Sequence, residues 1–188
     1  MNLADAERTK YERVWKIPSY GKFSPGERLV EGFLSIVRPG PTQWITDFGT
    51  GSGKAARKLQ KMGYKVRTVD HTRDGITPAR WKYLKDDFTE ACLWKMPTVP
   101  YSRYGYCTDV MEHIPIEASM ATIKEIMSRC DECFFQISTL PDHFGKEIGE
   151  PLHVTVMPFV WWRDRLADIT TVLDARDLMN CGVYHVKS

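Results

Sequence analysis

The stretch "WITDFGTGSGKAARKLQ", from Trp44 to Gln60, runs from a short apolar segment through a glycine-rich turn into a helix-forming run. Two familiar loops can be tested against it letter by letter. A triphosphate-cradling loop reads G-x-x-x-x-G-K-[ST], its hydroxyl serving the magnesium ion. Gly53 and Lys54 supply the G-K, but Ala55 stands in place of the hydroxyl and Phe48 in place of the first glycine. A dinucleotide fingerprint reads G-x-G-x-x-G. Gly49 and Gly51 fit it, and Lys54 does not. What fits without strain is an acid followed by glycines at every second place: Asp47, Gly49, Gly51, Gly53. Such glycines let a ligand approach the backbone closely. The helix starting near Lys54 offers its N-terminal N–H groups.

The next strand pattern, "YKVRTVD", closes on Asp70. A carboxylate placed there suits a ribose diol. Asp47 repels phosphate and welcomes a cationic amino group or a sulfonium. The loop therefore calls for an adenosine-like ligand without a triphosphate's charge. Further strands are predicted at "WKYLKDDF", a weak one, and at "YGYCTDV", "ECFFQISTL", "TTVLDARDL" and "GVYHVKS". The last two are joined by "MNCG", a hairpin turn. Helices are predicted at "KAARKLQKMG", "IEASMATIKEIMSRC" and "PFVWWRDRLADI". Strands alternating with helices and closed by a hairpin give an α/β fold, a mostly parallel sheet with an antiparallel edge. In such sheets ligands sit at the carboxyl ends of the strands. Asp47, Asp70, Asp87 and Asp109 all fall at or just beyond predicted strand ends.

Before the loop, "SPGERLVEGFLSIV" begins a helix: Ser24 caps it, Pro25 takes the first helical position and Glu27 closes a capping box. The residues ahead of it carry Tyr11, Trp15, Tyr20 and Phe23 among charges, too aromatic for a disordered tail. They read as a segment lying over the body, a candidate lid. At 188 residues the chain is expected to form one domain, 1–188, with 1–40 as aromatic segment and capping helix and 41–188 as the binding core. A net charge of +2 does not by itself argue for a nucleic-acid partner. No apolar run approaches the ~20 residues of a membrane span. The polar start does not resemble a secretory signal, so a cytoplasmic location is the default expectation. The five cysteines are odd in number, and "CDEC" has no second pair to close a zinc site, so they read as inert thiols.

Taken in order, "DFGTGSG", "VRTVD", "DDF" and "CTDVMEHIP" resemble a class I S-adenosylmethionine-dependent methyltransferase, from about Trp44 to the end of the chain. The resemblance implies a Rossmann-like, mostly parallel seven-stranded sheet with an antiparallel C-terminal hairpin and helices on both faces. It implies S-adenosylmethionine as cofactor, S-adenosylhomocysteine as product, and methyl transfer as the activity. Carried over residue by residue, Asp47 lies near the amino-acid end of the cofactor, and Gly49 and Gly51 pass under it. Asp70 takes the ribose hydroxyls. Asp87 accepts from the adenine amino group, with Phe88 against the ring, and Asp109 lies near the methionine portion. The style of "YERVW…Y…SPGE" before the core and "FFQIS…LHVTVMPFVWW" after it is similar to small bacteriophage-encoded methyltransferases, which implies the host cytoplasm.

The acceptor is bounded mainly by what is missing. No Asn/Asp-Pro-Pro-Tyr/Phe follows the fourth strand and no Pro-Cys occurs, so base methylation in DNA lacks its usual residues. An oxygen or nitrogen of a small molecule, sugar or modified nucleotide is the expected acceptor. A nucleic-acid methyltransferase working with a partner, and a non-catalytic cofactor-binding module, are the rivals. "DVMEH" sets Asp109, Glu112 and His113 together beyond a strand, and His153 follows the fifth strand. Two acids and two imidazoles can hold a divalent metal. A similar Glu-His pair with a later His occurs in metal-using 2′-O-methyltransferases of small RNAs. The same pair can instead simply order its loop, and then His113 or His153 is the candidate general base. Trp161 and Trp162 are read either as a substrate wall or as core.

Overall fold

The computed structural model describes residues 2–22, 24–96 and 98–188. Phe23, one of the aromatics assigned to the lid, lies outside them. Among the described residues seven strands form one sheet: β1 Trp44–Phe48, β2 Lys65–Asp70, β3 Phe88–Glu90, β4 Ser102–Thr108, β5 Cys130–Ser138, β6 Thr171–Asp177 and β7 Cys181–Lys187. Their order is β3-β2-β1-β4-β5-β7-β6. The first five run parallel, while β7 is antiparallel to both β5 and β6. The expected mostly parallel sheet with a reversed C-terminal hairpin is what forms. Strand order reverses beside β1, which is where such sheets open a crevice at their carboxyl ends.

Among the described residues seven helices accompany the sheet: α1 Leu3–Val14, α2 Pro25–Val37, α3 Lys54–Lys61, α4 Pro78–Leu84, α5 Ile116–Met127, the single turn α6 Gly145–Ile148, and α7 Phe159–Ala167. The period-2 alternation of a strand buries both faces of the sheet. On β4, Tyr106 packs with Val30, Phe33 and Leu59 of α2 and α3, while Cys107 packs with Ile123 and Trp162 of α5 and α7. Phe134 and Phe135 of β5 divide the same way. α2 starts as its sequence requires, with Ser24 Oγ accepting from the Glu27 N–H at 3.3 Å and Pro25 in the first turn.

The structure corrects several expectations. "WKYLKDDF" is not a strand. Trp81 to Leu84 end α4, residues 85–87 form a 3-10 turn, and β3 begins only at Phe88. Pro78 pre-sets the first turn of α4, and the run after it lacks the alternation a strand needs. The hairpin turn falls at 178–180, so Cys181 and Gly182 already belong to β7. The aromatic N-terminal segment is a helix, capped by the Asn2 side chain accepting from the Asp5 N–H at 3.0 Å. Cys130 and Cys133 are buried, unpaired thiols of β5. No helix among the described residues is long and apolar enough to cross a membrane.

Candidate functional site

A cavity of about 500 Å³ opens at the carboxyl ends of β1, β2, β4 and β5, roofed by α1. Its floor is the glycine loop. Gly49, Gly51 and Gly53 have φ of 73°, 51° and 71°, all left-handed and strained for any side chain. A methyl group on Gly49 would run into the Val110 side chain, and one on Gly53 would come within 2.7 Å of Leu84 Cδ1. The loop is tied down by the Gly49 and Thr50 N–H groups, which donate to the Val69 carbonyl at 2.8 and 3.1 Å.

Asp47 and Asp70 both face this cavity. Asp47 is 3 % exposed and accepts from Thr50 Oγ1 at 2.7 Å. Burial, aided by the nearby Asp70 charge, pushes its carboxyl up to about 7. A cation beside it would reverse that rise. Asp70 Oδ2 accepts from the Gly51 N–H at 2.8 Å, and its Oδ1 from the Thr72 N–H at 3.3 Å. The carboxylate expected to meet a ribose is thus already aimed by the glycine loop.

Asp87 and Phe88 are not in the cavity. Asp87 ends the 3-10 turn at the amino end of β3, and Phe88 packs edge-on against Trp81 at 5.3 Å between ring centroids. β3 begins at Phe88, where the sequence pattern places its end, so Asp87 stands at the strand's amino end and not at its carboxyl end. Cys92, Leu93 and Trp94, beyond the true carboxyl end, line the cavity instead.

Asp109, Glu112, His113 and His153 come together as the spacing suggested. Asp109 adopts a left-handed φ of 59° and turns the chain from β4 into a 3-10 turn at Met111–His113. One oxygen or nitrogen from each of the four residues lies within 4.8 Å of the other three. Glu112 is fully buried. Its Oε1 accepts from the Ser138 N–H at 2.7 Å, and its Oε2 has no hydrogen-bond donor. Its backbone carbonyl accepts from Val154 and Thr155 N–H groups at 2.9 and 3.0 Å, docking the segment that carries His153. His113 Nδ1 lies 2.6 Å from the Tyr11 hydroxyl and 3.1 Å from the Leu152 carbonyl. His153 Nδ1 lies 2.6 Å from the Leu140 carbonyl, to which it must donate. That tautomer leaves the lone pair of His153 on Nε2.

Burial raises the pKa of Asp109, and burial with the Asp109 charge raises that of Glu112 well above the usual carboxylate range. Burial, with His153 nearby, lowers His113 to about 3. His113 is therefore a neutral imidazole, fit to be a ligand and unfit to take up a proton. Two facing acids, one with an orphan oxygen, require a shared proton or a cation between them. A set of two carboxylates and two imidazoles matches a divalent metal in chemistry, so the residues fit the group that the sequence suggested.

The roof was only partly legible. Tyr11, Trp15 and Tyr20 all line the cavity. Trp15 lies over Gly51 and packs so closely on Gly75 that a methyl there would be 2.7 Å from its ring. α1 is anchored by Arg8 to Glu90 at 2.6 Å and by Arg13 to Glu150 at 2.8 Å. Trp162 is fully buried in the core with Trp161 edge-on against it, and neither wall of the cavity is theirs. Asp142 was missed. Its carboxylate accepts from the N–H groups of Gly145, Leu152 and His153 at 2.5, 2.8 and 3.1 Å, folding the loop that presents His153. An acid shortly after a strand and eleven residues before His153 was the available signal.

No protein-family model and no curated protein matches this chain. Solved structures do. The PH0226 protein from Pyrococcus horikoshii OT3 superposes with a TM-score of 0.72 at 12% identity, covering 95% of this chain and 98% of that one. The magnesium protoporphyrin IX methyltransferase ChlM from Synechocystis PCC 6803, with bound SAM, gives 0.70 at 13% identity and 100% of both chains. The N-methyltransferase NodS from Bradyrhizobium japonicum WM9, in complex with S-adenosyl-l-homocysteine, gives 0.69 at 12%, covering 97% and 98%. The chain thus has the Rossmann-like class I methyltransferase fold.

Proposed function

We propose that this chain is an S-adenosylmethionine-dependent methyltransferase whose acceptor is an oxygen of a small molecule, sugar or modified nucleotide. One observation carries the reading: the glycine loop with Asp47 and Asp70 shares a single cavity with the Asp109–Glu112–His113–His153 cluster. In this reading Asp70 accepts from the ribose hydroxyls, Asp47 faces the cationic amino-acid end, and Trp94 with Leu93 borders the adenine. ChlM and NodS hold S-adenosylmethionine or its product on the same fold, which supports the cofactor assignment. The bacteriophage kinship rests on sequence style alone and belongs to the same reading.

Asp109, Glu112, His113 and His153 would hold a divalent cation. Bound there, such an ion supplies acidification and orientation of an acceptor hydroxyl. The chain's own residues do the rest. α1 closes over the cavity and keeps water from the sulfonium. Asp142 and the Glu112 carbonyl set the height of His153. A metal-free route keeps one residue as base: His153, whose Nδ1–H is committed to Leu140 and whose Nε2 can take the acceptor's proton. The methyl leaves sulfur for oxygen as that proton departs.

Calorimetric titration of S-adenosylmethionine and S-adenosylhomocysteine, with and without magnesium or manganese, tests the proposal. Saturable binding that Asp70→Ala weakens at least tenfold is expected. Absence of binding under every condition would leave a fold without this function.

A further inference from the structure

The charge of this chain is nearly balanced overall, with 26 basic and 24 acidic residues, but it is not evenly spread. Between Lys54 and Lys85 ten basic residues stand against two acids, Asp70 and Asp74, and Asp70 is buried in the cavity. The rest of the chain is net acidic. The basic run folds into α3, β2 and α4, and α3 and α4 lie side by side, with Gln60 Nε2 donating to the Tyr83 carbonyl at 3.4 Å. An ordinary solvated helix face alternates its charges three or four residues apart. Neither α3 nor α4 contains an acid. Among the described residues, only Lys58 and Lys85 of this run pair with an acid on the outer surface, Glu31 and Asp86.

The unpaired cations are set among rings. The Arg57 guanidinium lies 3.8 Å from the Tyr83 ring centroid, with Lys82 Nζ at 4.8 Å. Arg73 lies 5.1 Å from Trp81. Arg67 stacks on Trp44 across the opposite face of the sheet and is not part of this surface. Tyr83 is half exposed. At the cavity end of the run, Arg80 and Lys22 line a second hollow between the roof segment and α4. The Nε of Arg80 is buried there without a hydrogen-bond partner.

We propose that the α3–α4 face is a docking surface for single-stranded nucleic acid, its backbone phosphates on the cations and a base against the exposed Tyr83 ring. Basic grooves interleaved with aromatic side chains suit that ligand because every base has a stacking face. A bilayer is a poorer fit, since among the described residues Met62 is the one large aliphatic side chain exposed between Lys54 and Lys85. α3 starts directly at the glycine loop, with Gly53 at its N-cap, so a strand lying along it would lead toward the cavity. Delivery of a ribose or base acceptor to that cavity rests on the methyl-transfer reading; binding itself does not.

The test is fluorescence anisotropy with labelled oligouridylate and oligodeoxythymidylate of roughly 20 nucleotides. Saturable binding is expected, with affinity falling roughly fifty-fold between about 50 and about 200 mM salt for about four phosphate contacts. The exposed pair Lys61→Glu with Lys82→Glu should cost at least tenfold and lower the salt slope by about 1.4. Lys124→Glu with Lys187→Glu, on the acidic remainder, should leave binding unchanged. Calorimetry of S-adenosylmethionine should be the same for all variants, which separates failure here from failure of the methyl-transfer reading. The proposal is overturned by no saturable binding at the lower salt, by equal losses in both pairs, or by binding to phosphatidylserine vesicles without binding to oligonucleotide.

Discussion

Replacing Glu112 with glutamine separates a metal site from a merely ordered loop. Glu112 Oε1 accepts from the Ser138 N–H at 2.7 Å, a bond that the amide oxygen of glutamine keeps. Oε2 has no donor, and the Glu112 carboxylate shares the cluster with Asp109. In glutamine that position becomes an NH2 group, which can donate to Asp109. The substitution therefore removes a buried, unsatisfied acid and adds a hydrogen bond, at nearly constant volume. Without metal, Glu112→Gln should be more stable than the wild type by about 2 kcal/mol, the usual cost of one unsatisfied buried group. For a chain of 188 residues that raises Tm by roughly 4–8 °C. With metal the order should invert. The wild type gains about 2.7 kcal/mol at a metal concentration a hundred times Kd, and the variant, short of one charged ligand, gains little. The assay is thermal unfolding of chelator-treated protein in mildly alkaline buffer, with and without excess manganese. A variant that melts below the wild type without metal, and whose Tm responds to manganese as the wild type's does, would refute the reasoning and leave the Glu-His pair an ordering device.

Asp47 sets a pH dependence. Its folded pKa of about 7 lies above the ordinary 3.8, so between those values the folded chain keeps a proton that the unfolded chain has lost. Stability of the ligand-free protein should fall by up to about 4 kcal/mol as pH rises through that window, and level off above it. S-adenosylmethionine affinity should rise with pH through the same window, with proton release seen by calorimetry in buffers of different ionisation enthalpy; Asp47→Asn should flatten both curves. Gly49→Ala combines a left-handed φ of 73° with a collision on Val110, whereas Gly63→Ala has a φ of 93° and no neighbour. Chemical denaturation should show a loss of about 3 kcal/mol for the first and about 1 for the second, and cofactor binding should fail only in the first. Tyr11→Phe removes the hydroxyl that meets His113 Nδ1 at 2.6 Å. It should cost about 1 kcal/mol and speed limited proteolysis of α1; unchanged cleavage of α1 would mean that this contact does not hold the roof.

The sequence made the acids of the site legible where an acid closes a local pattern. Asp47, Asp70 and Asp109 each end an apolar run whose strand character is set by its own residues. Glu112 and His113 then follow within one short turn. Asp87 failed for the same reason the others succeeded: the site is defined by the end of a strand, and β3 is only three residues long. With so short a strand, the helix formers from Pro78 to Leu84 hid its start and moved its apparent end. Trp94, which lines the cavity, could not be recognised until that end was fixed.

What stayed hidden was whatever depends on contacts remote in sequence. His113 as a residue type is a candidate base, and nothing in "DVMEHIP" says otherwise. Its loss of basicity comes from burial and from His153, forty residues away. The burial is itself supplied in part by Tyr11, 102 residues before it. The same holds for Asp142, whose role is visible only because residues 145, 152 and 153 fold back onto it. A motif states which chemical groups are available, while the roof and the folded loop decide their protonation and partners. The division between ligand and base at this site was therefore a tertiary property, and the exchange of order between Glu112→Gln and wild type on adding metal reads that property directly.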